Sequence, residues 1–337
     1  MNNKLFVAVL VLLLVVGGFS AYFLYYYSAP APKLPPKRIA LLTASDLQLP
    51  AVDGLKAGLK ELGYIEGENV VFEVKNPKGD RDLTKVLAGE IVASKPDLIV
   101  SISTSASRAV KDANKDAARP VPVVFADVGN FEELGIKNIQ RPGGFMTGVV
   151  VDNVPAAPKR TELLKTLLPN LKRIGVLVNN KHVSYDEILK VYEEGAKKLG
   201  LKISWYNVTK KEEVAPAMEK MIAQRPDAFM TTSEAVISGN ADLITPLLKK
   251  AKIPSIDFNI ERGVKSGYLM VYGVSRFDTG KQSARIVDKV LKGASPGDIP
   301  VEFALNPTFE ISAKLAKDLG ITIPESLLSL ANKVYNE

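Results

Sequence analysis

The residues able to do chemistry gather at the carboxyl ends of predicted strands. Ser101-Ile-Ser103-Thr104-Ser105-Ala106-Ser107 runs from a strand end into a helix start. Its hydroxyls and the free N–H groups of a first helical turn suit a carboxylate or a phosphate, although such a run also caps a helix whatever its function. The loops Thr43-Ala-Ser45-Asp46 and Ala126-Asp127-Val128 end the neighbouring strands, and Asp46 or Asp127 is placed to pair with an ammonium. Thr231-Thr232-Ser233-Glu234 and Asp257-Phe258-Asn259 hold the equivalent ends in the second half of the chain. Carboxylates there either meet a ligand or cap helices. With the aromatics Phe258 and Tyr272, the set suits a zwitterion carrying an apolar side chain.

Catalytic groupings are missing. His182 is the only histidine and there is no cysteine, which removes thiolate nucleophiles, thiolate metal sites and disulfides together. No Gly-x-Ser-x-Gly elbow accompanies His182, which reads as a loop residue. Gly280-Lys281 imitates the end of a phosphate-binding loop, but Ser275 stands where the first glycine belongs and Gln282 where a metal-binding hydroxyl belongs. No Gly-x-Gly-x-x-Gly follows an opening strand, so no cofactor and no metal are expected. The 44 basic residues exceed the 37 acidic ones by 7, yet they alternate with Asp and Glu along helical faces. That pattern is a solvated surface and not a nucleic-acid stripe. A binding role without catalysis follows.

The elements that position these loops come in two copies. Arg38-Ile-Ala-Leu-Leu-Thr43, Lys95-Pro96-Asp97 and Val121-Pro122 return as Arg173-Ile-Gly-Val-Leu-Val178, Arg225-Pro226-Asp227 and Ile253-Pro254, at offsets of 135, 130 and 132 positions. Continuous apolar runs of strand length predict strands covered on both faces, hence parallel sheets. In the first copy, strands Ile39 to Thr43, Val70 to Val74, Asp97 to Ile102 and Val121 to Phe125 alternate with helices Pro50 to Gly63, Asp82 to Ser94 and Ser105 to Lys115. In the second, strands Ile174 to Val178, Lys202 to Tyr206, Ala228 to Thr231 and Ser255 to Phe258 alternate with helices Tyr185 to Leu199, Val214 to Gln224 and Asn240 to Lys250. The remainder, strand Gly267 to Gly273, helix Thr279 to Leu291, strand Val301 to Leu305 and helix Ser312 to Leu319, is best shared between the copies. The fold class is therefore α/β, with two doubly wound Rossmann-like lobes. Lobe 1 is expected over 38–152 plus 277–303 and lobe 2 over 153–276 plus 304–337, with chain crossings near Val151 to Pro155, Val274 to Phe277 and Phe303 to Pro307.

Leu5 to Tyr27 is the one long apolar run. At ~1.5 Å per residue it crosses a hydrocarbon core of ~30 Å, and it exceeds the usual apolar region of a cleaved signal. A transmembrane helix is expected within 1–28, as an uncleaved anchor, with Ser28-Ala29-Pro30-Ala31 the place where a peptidase would cut instead. Tyr25 to Tyr27 suit the aromatic belt. Lys33, Lys37 and Arg38 follow the helix against Lys4 before it, a count that mildly opposes an external domain. Residues 29–37, rich in proline, read as an extended spacer.

Several phrases resemble one family. They are Gly54-Leu-Lys-Ala-Gly58-Leu-Lys-Glu-Leu-Gly63-Tyr64-Ile-Glu-Gly67-Glu-Asn69-Val, Val121-Pro122-Val-Val-Phe125-Ala126, Arg141-Pro142-Gly143-Gly144-Phe-Met-Thr147-Gly148-Val, Lys172-Arg173-Ile-Gly175-Val-Leu and Tyr272-Gly273-Val-Ser-Arg-Phe-Asp-Thr-Gly280-Lys-Gln282. Over roughly Arg38 to Pro324 the chain resembles the ABC-transporter substrate-binding proteins of the type I periplasmic-binding fold, in the branch that includes binders of tryptophan and related aromatic amino acids. The resemblance implies an extracytoplasmic solute receptor, two lobes closing on a small-molecule solute about a three-crossing hinge, and an ABC permease with its ATPase as partners. Two loops depart from the family pattern. Thr232-Ser233-Glu234-Ala235 stands where relatives tend to read Thr-Asp-Asn, and Gly273-Val274-Ser275-Arg276-Phe277 where they tend to read Gly-Val-Asp-Tyr-Tyr. Both touch the expected cleft, so substrate identity does not carry over, and Arg276 would favour an anionic ligand group. A ligand-sensing ectodomain and a membrane-attached α/β enzyme are the alternatives; the latter needs a donor-phosphate or metal site that these residues do not supply.

Overall fold

The computed structural model describes residues 15–19 and 35–337. Residues 15–19 are helical; the rest of the expected anchor and most of the spacer lie outside the described residues. Among the described residues no helix is long and apolar enough to cross a membrane.

The first sheet grows from β1 (Lys37–Leu42), β2 (Val70–Lys75), β3 (Leu98–Ile102), β4 (Val123–Val128) and β5 (Met146–Val150). Helices α1 (Leu49–Glu61), α2 (Arg81–Ala93) and α3 (Thr104–Asn114) connect the first four. Every residue of β3 is buried, as a strand sandwiched between helix layers requires. Core side chains from Ile39, Leu41 and Val100 pack on one face, and those from Leu42, Ile99 and Phe125 on the other.

The second sheet is built from β6 (Arg173–Val178), β7 (Lys202–Asn207), β8 (Ala228–Met230), β9 (Ser255–Asp257) and β10 (Met270–Gly273). Its helices are α4 (Ala157–Leu167), α5 (Tyr185–Lys198), α6 (Val214–Ala223), α7 (Ala235–Ser238) and α8 (Ala241–Ala251). After β10 comes α9 (Arg276–Leu291), and then β11 (Glu302–Phe303), which pairs in parallel with β5 at the edge of the first sheet. The chain then rejoins the second sheet as β12 (Thr308–Ser312), α10 (Ala313–Leu319), α11 (Glu325–Leu330) and β13 (Lys333–Tyr335). The backbone thus passes between the sheets three times.

Strand orders are β11-β5-β4-β3-β1-β2 and β13-β12-β10-β9-β8-β6-β7. The doubly wound expectation holds in both sheets, with additions. β5, α4, α7, β12, α11 and β13 are additions to the expected elements, β12 runs antiparallel to β10, and the strand expected over Val301 to Leu305 contracts to Glu302–Phe303.

The repeated Lys/Arg-Pro-Asp triplet is a device at the amino ends of the strands. Asp97 accepts the Arg38 N–H at 2.8 Å while the Arg38 guanidinium reaches the Ser94 carbonyl. Asp227 accepts the Arg173 N–H at 2.8 Å while the Arg173 guanidinium reaches the carbonyls of Gln224 and Arg225. The residue before each proline takes a left-handed turn, φ 49° at Lys95 and 48° at Arg225. The strongest internal repeat therefore lies at the opposite end of each sheet from the loops that carry chemistry.

Helix α9 is bound to the first sheet's helix layer. It lies so close to α1 that a Cβ at Gly280 would come within 1.9 Å of the Ala51 carbonyl oxygen, and one at Gly54 within 1.9 Å of the Phe277 carbonyl oxygen. Tyr64 adds a 2.9 Å bond from its hydroxyl to Asp288. The backbone of α9 from Phe277 onward is thus packed into the first sheet's helix layer.

Candidate functional site

In each sheet the strand order reverses once, between β1 and β3 and again between β6 and β8. Crevices outside the carboxyl ends at such switch points are the usual ligand sites of open α/β sheets. At the first, Ser103 caps α3 with φ 106° and ψ 158° and accepts the Ala106 N–H at 3.2 Å. That backbone region is essentially reserved for glycine and costs ~1–3 kcal/mol. The β4–β5 register shifts between Phe125 and Val128, and Asp127 inside this bulge has φ 52°. Two strained non-glycine residues on adjacent strand ends are held together by the Ser103 N–H to the Ala126 carbonyl, 3.0 Å, and the Gly129 N–H to Thr104 Oγ1, 3.1 Å. Bulges re-aim side chains beside functional sites, and this one turns Asp127 away from the sheet.

At the second switch point Glu234 is 2% exposed. It accepts the Asn179 N–H, 2.8 Å, from the end of β6, together with a bond from the Thr232 hydroxyl. Asp257 accepts the Thr231 hydroxyl at 2.5 Å and the Asn259 N–H at 3.3 Å. Burial pushes both carboxyls above their ordinary values, against the pull of these donors.

Arg276 joins the two halves. Its Nε donates to Asp127 at 2.9 Å, its Nη1 to Glu261 at 2.9 Å and to Asn259 at 3.5 Å, and its backbone N–H to the other Glu261 oxygen. Burial works against the guanidinium charge, but the two carboxylates outweigh it and lift its pKa above the ordinary value. Burial also pushes the Asp127 carboxyl up, although Arg276 pulls the other way. The arrangement leaves Arg276 already neutralised by carboxylates of this chain.

A deeper network supports the second sheet. Arg160 on α4 has no exposed surface and donates to the Asn153 carbonyl at 2.8 Å, the Tyr192 hydroxyl at 3.2 Å and the Tyr272 carbonyl at 3.4 Å. Tyr192 passes the connection to the Thr231 carbonyl at 2.9 Å. The first passage of the chain between the sheets and the strand that precedes the second are thereby bonded to one buried cation.

Of the residues singled out from sequence, Ser103, Thr104, Ser105, Asp127, Asp257 and Arg276 fall on one connected set of contacts. Ser105 is exposed and bonds Ser103 through the hydroxyls at 3.2 Å. Ser45 is taken up by Gln48, whose Oε1 accepts both its N–H and its hydroxyl. Asp46 is exposed and accepts from Asn76 at 2.7 Å. Ser233 is half-buried, Glu234 is bonded within the second sheet's own loops, and Tyr272 is half-buried beside that sheet's core. His182 sits in the turn before α5, where its Nδ1 accepts the Ser184 N–H. Sequence reasoning missed Glu261 and Arg160. Glu261 sits in an irregular loop with no motif, and Arg160 has the sequence surroundings of an ordinary surface cation on an amphipathic helix. Among the described residues no group of three or more His, Asp or Glu could hold a metal. A groove of about 690 Å³ between β7 and α6, lined by Trp205, Tyr206 and Lys220, lies away from these strand ends.

Two doubly wound lobes with their switch points on irregular, polar loops and three passages between them define a periplasmic-binding-protein-like fold. A structure of a conserved domain protein from Vibrio cholerae has the same fold, with a TM-score of 0.76 and 26% identity over 89% of this chain and all of that one. The chain belongs to the ABC transporter substrate-binding protein family, whose model matches residues 39–335. It is a solute-binding protein and not an enzyme. Among its relatives, a tyrosine-binding protein of Clostridioides difficile is 29% identical over 75% of this chain and 72% of that protein. The ABC domain from Streptococcus pneumoniae, solved in complex with L-Trp, has a TM-score of 0.74 and 28% identity over 88% of this chain and 99% of its own.

Proposed function

We propose that this chain is the extracytoplasmic receptor of an ABC importer and captures an amino acid with an aromatic side chain between its lobes. The observation that carries the reading is its likeness, at 28% and 29% identity, to proteins described with L-Trp and as tyrosine-binding. The site chemistry supports it. Ser103, Thr104 and Ser105 at the start of α3 offer hydroxyls and amides to a carboxylate. Asp127 and Glu261 exceed Arg276 by one charge and suit an ammonium, and Ser45, Asp46, Ser233, Glu234, Asp257 and Tyr272 are the further candidates at the neighbouring strand ends. Lobe 1 comprises 38–152 plus 277–303 and lobe 2 comprises 153–276 plus 304–337. Because the ligand contacts both lobes only when they are closed, its differential affinity drives closure, and the closed form is what the permease and its ATPase receive. The helix expected within Leu5 to Tyr27 tethers the domain to the membrane.

Isothermal titration of the protein with L-tyrosine and L-tryptophan tests the reading. Saturable binding at one site with a negative heat-capacity change is expected, and no heat from either amino acid would remove the aromatic assignment.

A further inference from the structure

Among the described residues, the ion pairs around Arg276 are the ones in which both side chains are largely buried. The Arg276, Asp127 and Glu261 side chains are only 17%, 11% and 18% exposed, whereas the Lys281–Glu61 pair one turn along α9 is 42% and 63% exposed. A shielded pair keeps far more of its Coulomb attraction than a surface pair. Its members also come from different bodies. The backbone of α9 from Phe277 onward is locked to the first sheet through Gly54, Gly280 and Tyr64, and although Arg276 is the last residue of lobe 2, its Nε bond to Asp127 fastens its side chain to the first lobe. Asn259 and Glu261 follow β9 of the second sheet, and Glu261 grips both the Nη1 and the backbone N–H of Arg276. A movement of one lobe against the other stretches the Glu261 and Asn259 contacts and leaves the Asp127 contact whole. The strained backbone of Asp127, φ 52° in a bulge, is accounted for by the aim it gives the carboxylate at Arg276.

We propose that Asp127, Arg276 and Glu261 form a tether across the second chain passage that sets the separation of the lobes in the ligand-free protein, with Glu261 the positioning residue on the moving side. Ligand-driven closure then works against, or from, a defined starting separation instead of a loose one, and Arg276 serves the lobes and not the solute. This rests on the reading that the lobes move on binding.

The chain has no cysteine, so a pair of introduced labels is unambiguous. Lys85→Cys on α2, where the lysine side chain is 73% exposed, and Glu194→Cys on α5, also exposed, carry nitroxides on the full chain in detergent. Pulsed dipolar spectroscopy without ligand gives the distance distribution between the lobes. A single narrow distribution is expected for the parent, a longer and broader one for both Glu261→Gln and Arg276→Met, and partial recovery for Arg276→Lys. Distributions in Glu261→Gln that are unchanged or shorter overturn the tether. Should Arg276→Met fail to fold, Glu261→Gln still decides, because it leaves Arg276 bonded to Asp127. Adding L-tyrosine or L-tryptophan to the parent is a separate arm: no change there counts against the amino-acid reading and leaves the ligand-free comparison standing.

Discussion

Glu234 shows how much one side chain at a strand end is shaped by burial. Its carboxyl is held above the ordinary 4.5 chiefly by loss of water, although Thr232 and Asn179 pull it down. A raised value in the fold means that the proton is bound more tightly there than in the unfolded chain, so the stabilisation is complete below the ordinary value and is lost as pH rises through the folded one. Glu234→Gln keeps an acceptor for the Asn179 N–H and can donate to Thr232, whose hydroxyl remains free to bond the Leu177 carbonyl. Thermal melts from pH 4 to 8 are expected to show a flatter profile for this variant and a higher melting temperature at neutral pH; an identical profile would mean that Glu234 does not titrate differently on folding. Ser105→Ala, by contrast, removes an exposed hydroxyl bonded only to Ser103. It should weaken ligand binding by ~1 kcal/mol in a titration while leaving the melt in place, and unchanged affinity would take Ser105 out of the pocket. Residues of this kind were legible in the sequence because hydroxyls and carboxylates followed apolar runs. Glu261 was not, since nothing in Asn259-Ile-Glu261-Arg262 signals that Arg276 will arrive beside it.

Among the elements, the contact of α1 with α9 admits the sharpest test. Gly280→Ala would drive a methyl against the Ala51 carbonyl, which is backbone and cannot turn aside. A loss of at least ~3 kcal/mol in urea unfolding is expected, at the upper end of overpacking penalties, and a loss below ~1 kcal/mol would show that the helices separate freely. The main strands and helices were readable because their apolar runs were continuous or helically spaced. Those that escaped have local reasons. β5 follows Arg141-Pro-Gly-Gly and itself contains Gly148, so turn signals hide it. α4 buries Arg160 and Thr161, which breaks the apolar stripe that marks a helix facing a core. β12 buries Glu310 and Ser312, so its pattern reads as polar until β10 and β13 are seen on either side.

For the whole molecule, the doubled sequence announced two αβ units, and the three passages between the sheets are what that doubling becomes once α9 and β11 return to the first unit. The repeated Lys/Arg-Pro-Asp triplet is a brace at the amino ends of the strands, remote from the loops at their carboxyl ends. The central claim, a receptor for an amino acid, is tested most directly by a thermal-shift panel on residues 37–337 with the twenty amino acids, small carboxylates, nucleosides and sugars. Stabilisation by mass action is expected from L-tyrosine, L-tryptophan or both, rising with concentration and absent for sugars and nucleosides. Stabilisation by a sugar or nucleoside with none from any amino acid would contradict the account.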